Sequence, residues 1–147
     1  MFARDDRGIA VLYAALLIPT FLILLAFVVE LGALRATKAR LTAAADLAAT
    51  SAVNEQDRSA LALNGQYSLS SSAAPVAREL LAKELAPLAP RFAGTTPEAI
   101  AAGADIVATD RTTLRVSFDA PVRAPLLVLA ALRDRVVIRI RTTAAAR

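Results

Sequence analysis

The run Gly8-Ile-Ala-Val-Leu-Tyr-Ala-Ala-Leu-Leu-Ile-Pro-Thr-Phe-Leu-Ile-Leu-Leu-Ala-Phe-Val-Val29 holds no charged residue, and nothing else in the chain restricts its fold so strongly. As a helix rising about 1.5 Å per residue, Ile9 to Val29 is about 30 Å long, the thickness of a bilayer core. Fourteen of its residues are Leu, Ile, Val or Phe. On an insertion scale these are worth on the order of −4 to −8 kcal/mol, so the segment is expected to cross a membrane. A cleaved secretory peptide would have a shorter apolar region and a small-x-small site. Here Leu31-Gly32-Ala33 puts leucine where a small residue is wanted. Pro19 falls mid-span, removes one backbone hydrogen bond and is the candidate kink.

No stop signal closes the span at its C-terminal end. Gly32 is a lone glycine and Ala33 to Val53 is rich in strong helix formers, so residues 30–53 are expected to continue the helix beyond the bilayer as an alanine-rich extension. Its apolar positions step through Leu31, Leu34, Lys38, Leu41, Ala45, Ala48 and Ala52. This is heptad spacing, spoiled at Lys38 and narrowed by alanine distally. The stripe can pack on the protein's own head or on identical neighbours, through Leu34, Leu41, Ala45, Ala48 and Ala52.

Residues 54–147 read as a small α+β head. From Asn54 to Pro75 the chain is polar, with Asn64-Gly65 as a turn signal flanked by alternating Leu61, Leu63, Tyr67 and Leu69. Pro75 suits the first turn of a helix reaching about Leu85, which Pro87 and Pro90 end; Pro97 opens another short helix up to Gly103. Then the period changes to two. Asp105–Asp110, the alternation of Leu114, Val116 and Phe118, and that of Val136, Ile138 and Ile140 predict about three antiparallel strands with one apolar face. Between the last two strands, Leu126 to Leu132 is too short to span a membrane and is read as a helix on the sheet or at the membrane surface.

The chemistry this composition excludes is broad. With no cysteine and no histidine, disulfides, thiolate and imidazole catalysis and the common zinc sites are out. There is no phosphate-binding glycine loop, and no serine has a candidate base. No catalytic residue, cofactor or metal is expected. A net charge of +4 raises the question of nucleic acid. The basic residues are scattered without interleaved aromatics, so no nucleic acid is expected and membrane lipid is the simpler partner. Arg4 and Arg7 precede the span, while Arg35, Lys38 and Arg40 lie beyond it. Counted alone, these lean toward a cytoplasmic C-terminus, although long domains translocate regardless of charge.

The N-terminal block carries more. Arg4-Asp-Asp-Arg-Gly8, a long apolar span with an early proline, Glu30 and Gly32 at its end, and Ala39-Arg-Leu-Thr-Ala-Ala-Ala-Asp-Leu-Ala-Ala49 together resemble the TadE/TadG-like proteins of bacterial Tad (Flp-type, tight-adherence) pilus systems. The resemblance covers residues 4–53 and is loose in the C-terminal third. It implies a pilin-like outline and a minor pilin, pseudopilin or assembly factor. It also implies a single pass through the inner membrane, residues 1–8 in the cytoplasm, 9–29 in the bilayer and the head exported. Partners would be other Tad components or pilins, with self-association through the helix. Pilin-like members are cut after a glycine and carry glutamate at the fifth mature position. Gly8 and Ile9 match such a bond but the fifth residue is Tyr13, so the chain is expected to stay whole. Two other readings stand beside this one: a single-pass envelope binding or scaffold module outside any filament, and a membrane protein whose head faces the cytoplasm.

Overall fold

The computed structural model describes residues 6–55, 62–63, 65, 68–125 and 135–146. Its first element is one unbroken helix, α1 (Asp6–Val53), which passes through Pro19 without interruption. Proline leaves the carbonyl four residues earlier, that of Ala15, without its helical donor. In the same turn the Thr20 hydroxyl donates to the Leu16 carbonyl at 2.8 Å. From Ile9 to Val29 almost every side chain is exposed, with only Ala26 and Phe27 partly covered. An apolar helix with no protein around it is stable only where lipid or other helices replace water.

The distal half of α1 is different, because the head is built around it. Leu41, Ala44, Ala45, Ala48, Ala49, Ala52 and Val53 belong to the buried core cluster of the described residues. The seam runs through Thr37 rather than Lys38: Thr37 is buried and Lys38 exposed. The Thr37 hydroxyl donates to the Ala33 carbonyl at 2.8 Å, so a polar side chain occupies the seam with its donor satisfied. Leu34 is half-buried at the upper end and Leu31 is exposed.

Two layers close on that seam. One is α2 (Ala73–Leu85), whose buried residues Ala77, Leu81 and Leu85 lie at helical spacing. It starts two residues before Pro75, which sits harmlessly in the first turn where amide donors are unused anyway. Pro87 and Pro90 do not end the helical path at once but turn it into a 3₁₀ segment, Ala86–Arg91, that buries Leu88. The other layer is a three-stranded antiparallel sheet in the order β1-β2-β3: β1 (Asp105–Ala108), β2 (Thr113–Val122) and β3 (Val136–Ala145). On β2 the residues Leu114, Val116, Phe118, Ala120 and Val122 are buried in strict alternation, and on β3 Ile140 is buried opposite Phe118. Small α3 (Pro97–Ala102) is capped by Thr96, whose Oγ1 accepts from the Ala99 amide at 3.2 Å, and buries Ile100 and Ala101.

The fold is therefore α+β, a long N-terminal apolar helix leading to a small head with short helices and three antiparallel strands. Filling a large side chain such as Leu41, Leu81 or Leu114 into this core contributes about 1.5–3 kcal/mol each. The alanines of α1 contribute by allowing the sheet and α2 to approach its backbone. The Asn64-Gly65 turn is only half visible: Gly65 has a left-handed backbone (φ 62°) while Asn64, Leu61 and Tyr67 lie outside the described residues. Leu63 is helical, so its alternation with Leu61 does not make it a strand. The Leu126–Leu132 segment also lies outside the described residues.

Candidate functional site

Where the bare helix meets the head, α1 leaves its apolar stretch at Glu30, the residue that ends the uncharged run. Glu30 is only 9% exposed. It borders a cavity of about 280 Å³ lined on one side by Ala26, Val29, Ala33, Leu34 and Thr37 of α1. Across it stand Arg91, Val122, Arg123 and Pro125. The two arginines are far apart in sequence, yet the fold sets them side by side. Phe92 makes an antiparallel bridge with Val122. The Arg123 amide donates to the Arg91 carbonyl at 2.9 Å and the Ala93 amide to the Pro121 carbonyl at 2.9 Å. β3 occupies the other edge of β2 at this point, pairing Val136 with Val122. The Arg91–Ala93 segment therefore continues the edge that β1 holds further along the strand.

Phe92, next to Arg91, is buried in the core at 1% exposed. Arg123 Nε donates to the Phe92 carbonyl at 3.0 Å, which fixes the root of the guanidinium while the residue as a whole stays exposed. The wall is thus apolar, the rim carries two exposed cations, and one carboxylate lies at the α1 side. Such a corner can bind an amphiphile or an anionic group; nothing in it positions a nucleophile and a base for a reaction.

The residues expected to pack along α1 fall into two groups. Leu41, Ala45, Ala48 and Ala52 are brought together in the core and have no exposed surface, while Leu34 lines the cavity. Pro19 is in the bare stretch, where its side chain is exposed. Ile9 is half exposed in the first described turns of α1, and Gly8 lies in the same helix. Asp46 accepts a hydrogen bond from the Thr142 hydroxyl, tying the extension to β3. On the solvent face of the sheet, Arg139 holds Asp119 through Nε at 3.0 Å and Nη2 at 3.4 Å. The hydrogen bond and charge of Asp119 push the Arg139 guanidinium above its ordinary range, so it stays charged at every working pH. Among the described residues no group of three or more His, Cys, Asp or Glu could hold a metal ion.

No local spacing marks Glu30, Thr37, Arg91 and Arg123 as a set. Only Glu30 carries a signal, as the first charge after the uncharged run; the arginines become neighbours through strand pairing that no local pattern announces.

Residues 8–55 match the model of a family described as "Putative Flp pilus-assembly TadE/G-like". No curated protein and no solved structure matches the chain. The matched block is α1 with its bare and buried halves, and a family of this kind with an N-terminal apolar helix fits a membrane-anchored protein.

Proposed function

From the premise that residues 8–55 are a TadE/G-like pilus-assembly segment, we propose that this protein is a single-pass inner-membrane component of a Tad/Flp-type pilus system, working as a minor pilin, pseudopilin or assembly factor. Residues 1–8 stay in the cytoplasm, 9–29 cross the bilayer, 30–53 carry the helix outward and the rest forms the exported head. The observation that carries this reading is the division of α1: a bare apolar half joined without a break to a half that the head encloses. The protein acts by contact. Its bare helix meets lipid and the helices of other pilus components or of a second copy, and its head presents a rigid surface above them.

Orientation is taken from the family rather than the Lys/Arg count, since a head of this size translocates regardless of a few flanking charges. The Gly8–Ile9 bond stays whole. Tyr13, 63% exposed in the span, stands where a processed pilin would place the glutamate that neutralises a neighbour's new α-amino group. The same observation favours a second reading, an anchored scaffold that never enters a filament. A C-terminal reporter active only outside the cytoplasm, together with loss of pili on deletion, is the expected result. A reporter active only in the cytoplasm would sink the proposal. Mass spectrometry of the purified chain tests the bond, with an Ile9 start as the contrary result.

A further inference from the structure

The cavity at the foot of the head straddles two environments. Ala26 to Thr37 covers about 16 Å of helix axis, from the last turn of the apolar stretch to well past its end. The interfacial layer of a bilayer is roughly 5–8 Å deep on each side, so this interval contains it. The wall nearest the span is Ala26, Val29 and Ala33, with Val122 and Pro125 opposite, all apolar. At the same level the exposed pair Arg91 and Arg123 is held together by their backbone hydrogen bond, with Arg123 rooted on the Phe92 carbonyl. Two exposed arginines lining an otherwise mostly apolar cleft are complementary to a phosphodiester joined to an acyl chain, and guanidinium recognises phosphate oxygens through paired N–H donors. Glu30, which has an interaction of its own, still offers carboxylate lone pairs to a headgroup hydroxyl, because a carboxylate accepts at about four positions.

We propose that this corner is a binding site for one anionic phospholipid with a hydroxylated headgroup, of the phosphatidylglycerol kind, drawn from the leaflet on the head's side of the membrane. Its phosphodiester sits between Arg91 and Arg123, its headgroup hydroxyl against Glu30, and the upper part of one acyl chain along Ala26 and Val29. The bound lipid fixes the height of the head on the bilayer. The proposal rests on the membrane anchorage of the reading above and not on pilus assembly.

The test uses the full chain in mild detergent, titrated with phosphatidylglycerol, phosphatidylcholine or inorganic phosphate, with retained lipid read by native mass spectrometry. Phosphatidylglycerol is expected to remain bound at one per chain. The Arg91→Gln/Arg123→Gln variant should weaken it on the order of tenfold. Arg141→Gln, a charge change on the solvent face of the sheet, should leave it unaltered, and equal thermal melts show that all three proteins are folded. Equal retention of phosphatidylcholine overturns the proposal, as does competition by inorganic phosphate at equal concentration. So does a cross-link showing the cleft already filled by this chain's own residues 126–132. Phosphatidylglycerol retained by the purified chain, together with normal pili in cells from which the protein has been deleted, would sink the assembly role and leave the lipid site standing.

Discussion

Ala48 has no exposed surface where α1 runs against the sheet and α2, so any added carbon must displace a neighbour. Ala48→Leu, and Ala45→Leu one turn earlier, are expected to cost about 1–3 kcal/mol by overfilling, measured by chemical denaturation in detergent. An unchanged midpoint in both would mean that the core opens more readily than its burial indicates. The alanines and Leu41 are legible in the sequence because helical spacing alone places them on one stripe. Thr37 is not, since a threonine one position before Lys38 looks polar until its hydroxyl is seen donating to the Ala33 carbonyl. Arg91 and Arg123 are illegible for another reason: their meeting is created by the pairing of Phe92 with Val122.

At the scale of elements, the short helix α3 depends on its first turn. Six residues form too few internal hydrogen bonds to stand alone, so the cap from Thr96 to the Ala99 amide matters more than it would on a long helix. Thr96→Ala should cost about 1 kcal/mol, and Thr96→Ser should recover most of it in the same melting assay. Gly32 behaves oppositely. It lies inside α1, and among the described residues a Cβ there would meet no atom beyond its own helix backbone within 4 Å. Gly32→Ala is therefore expected to stabilise the helix by about 0.5–1 kcal/mol, seen as slower amide exchange around residues 30–34. The strands are legible from period-two alternation because β2 has one buried and one solvated face. The 3₁₀ segment Ala86–Arg91 is not, because Pro87 and Pro90 read as a stop while the backbone tightens and continues.

The whole molecule is set by α1, about 70 Å of helix from Asp6 to Val53, of which a bilayer core takes less than half. This continuity is foreseeable from the sequence, since nothing between Val29 and Ala33 resembles a break. How firmly the distal half is gripped is not, because alanine patterns suit a partner helix as well as a sheet. The grip has a consequence that can be put in angles. Because span and head share one rigid axis, the compass bearing of the head is locked to that of every side chain in the membrane. One residue inserted between Leu31 and Gly32 turns Tyr13, Val29 and Glu30 by about 100° relative to Arg91 and Arg123, and lifts the head by about 1.5 Å. Seven residues turn it by only about 20° while adding about 10 Å. If neighbours read the bearing, one-residue and two-residue insertions abolish piliation and a seven-residue insertion restores it, with thermal melts of the head unchanged throughout. If only reach counts, loss grows steadily with length. In the first case the helix is a dial as much as an anchor, and its phase is a quantity that assembly can sense.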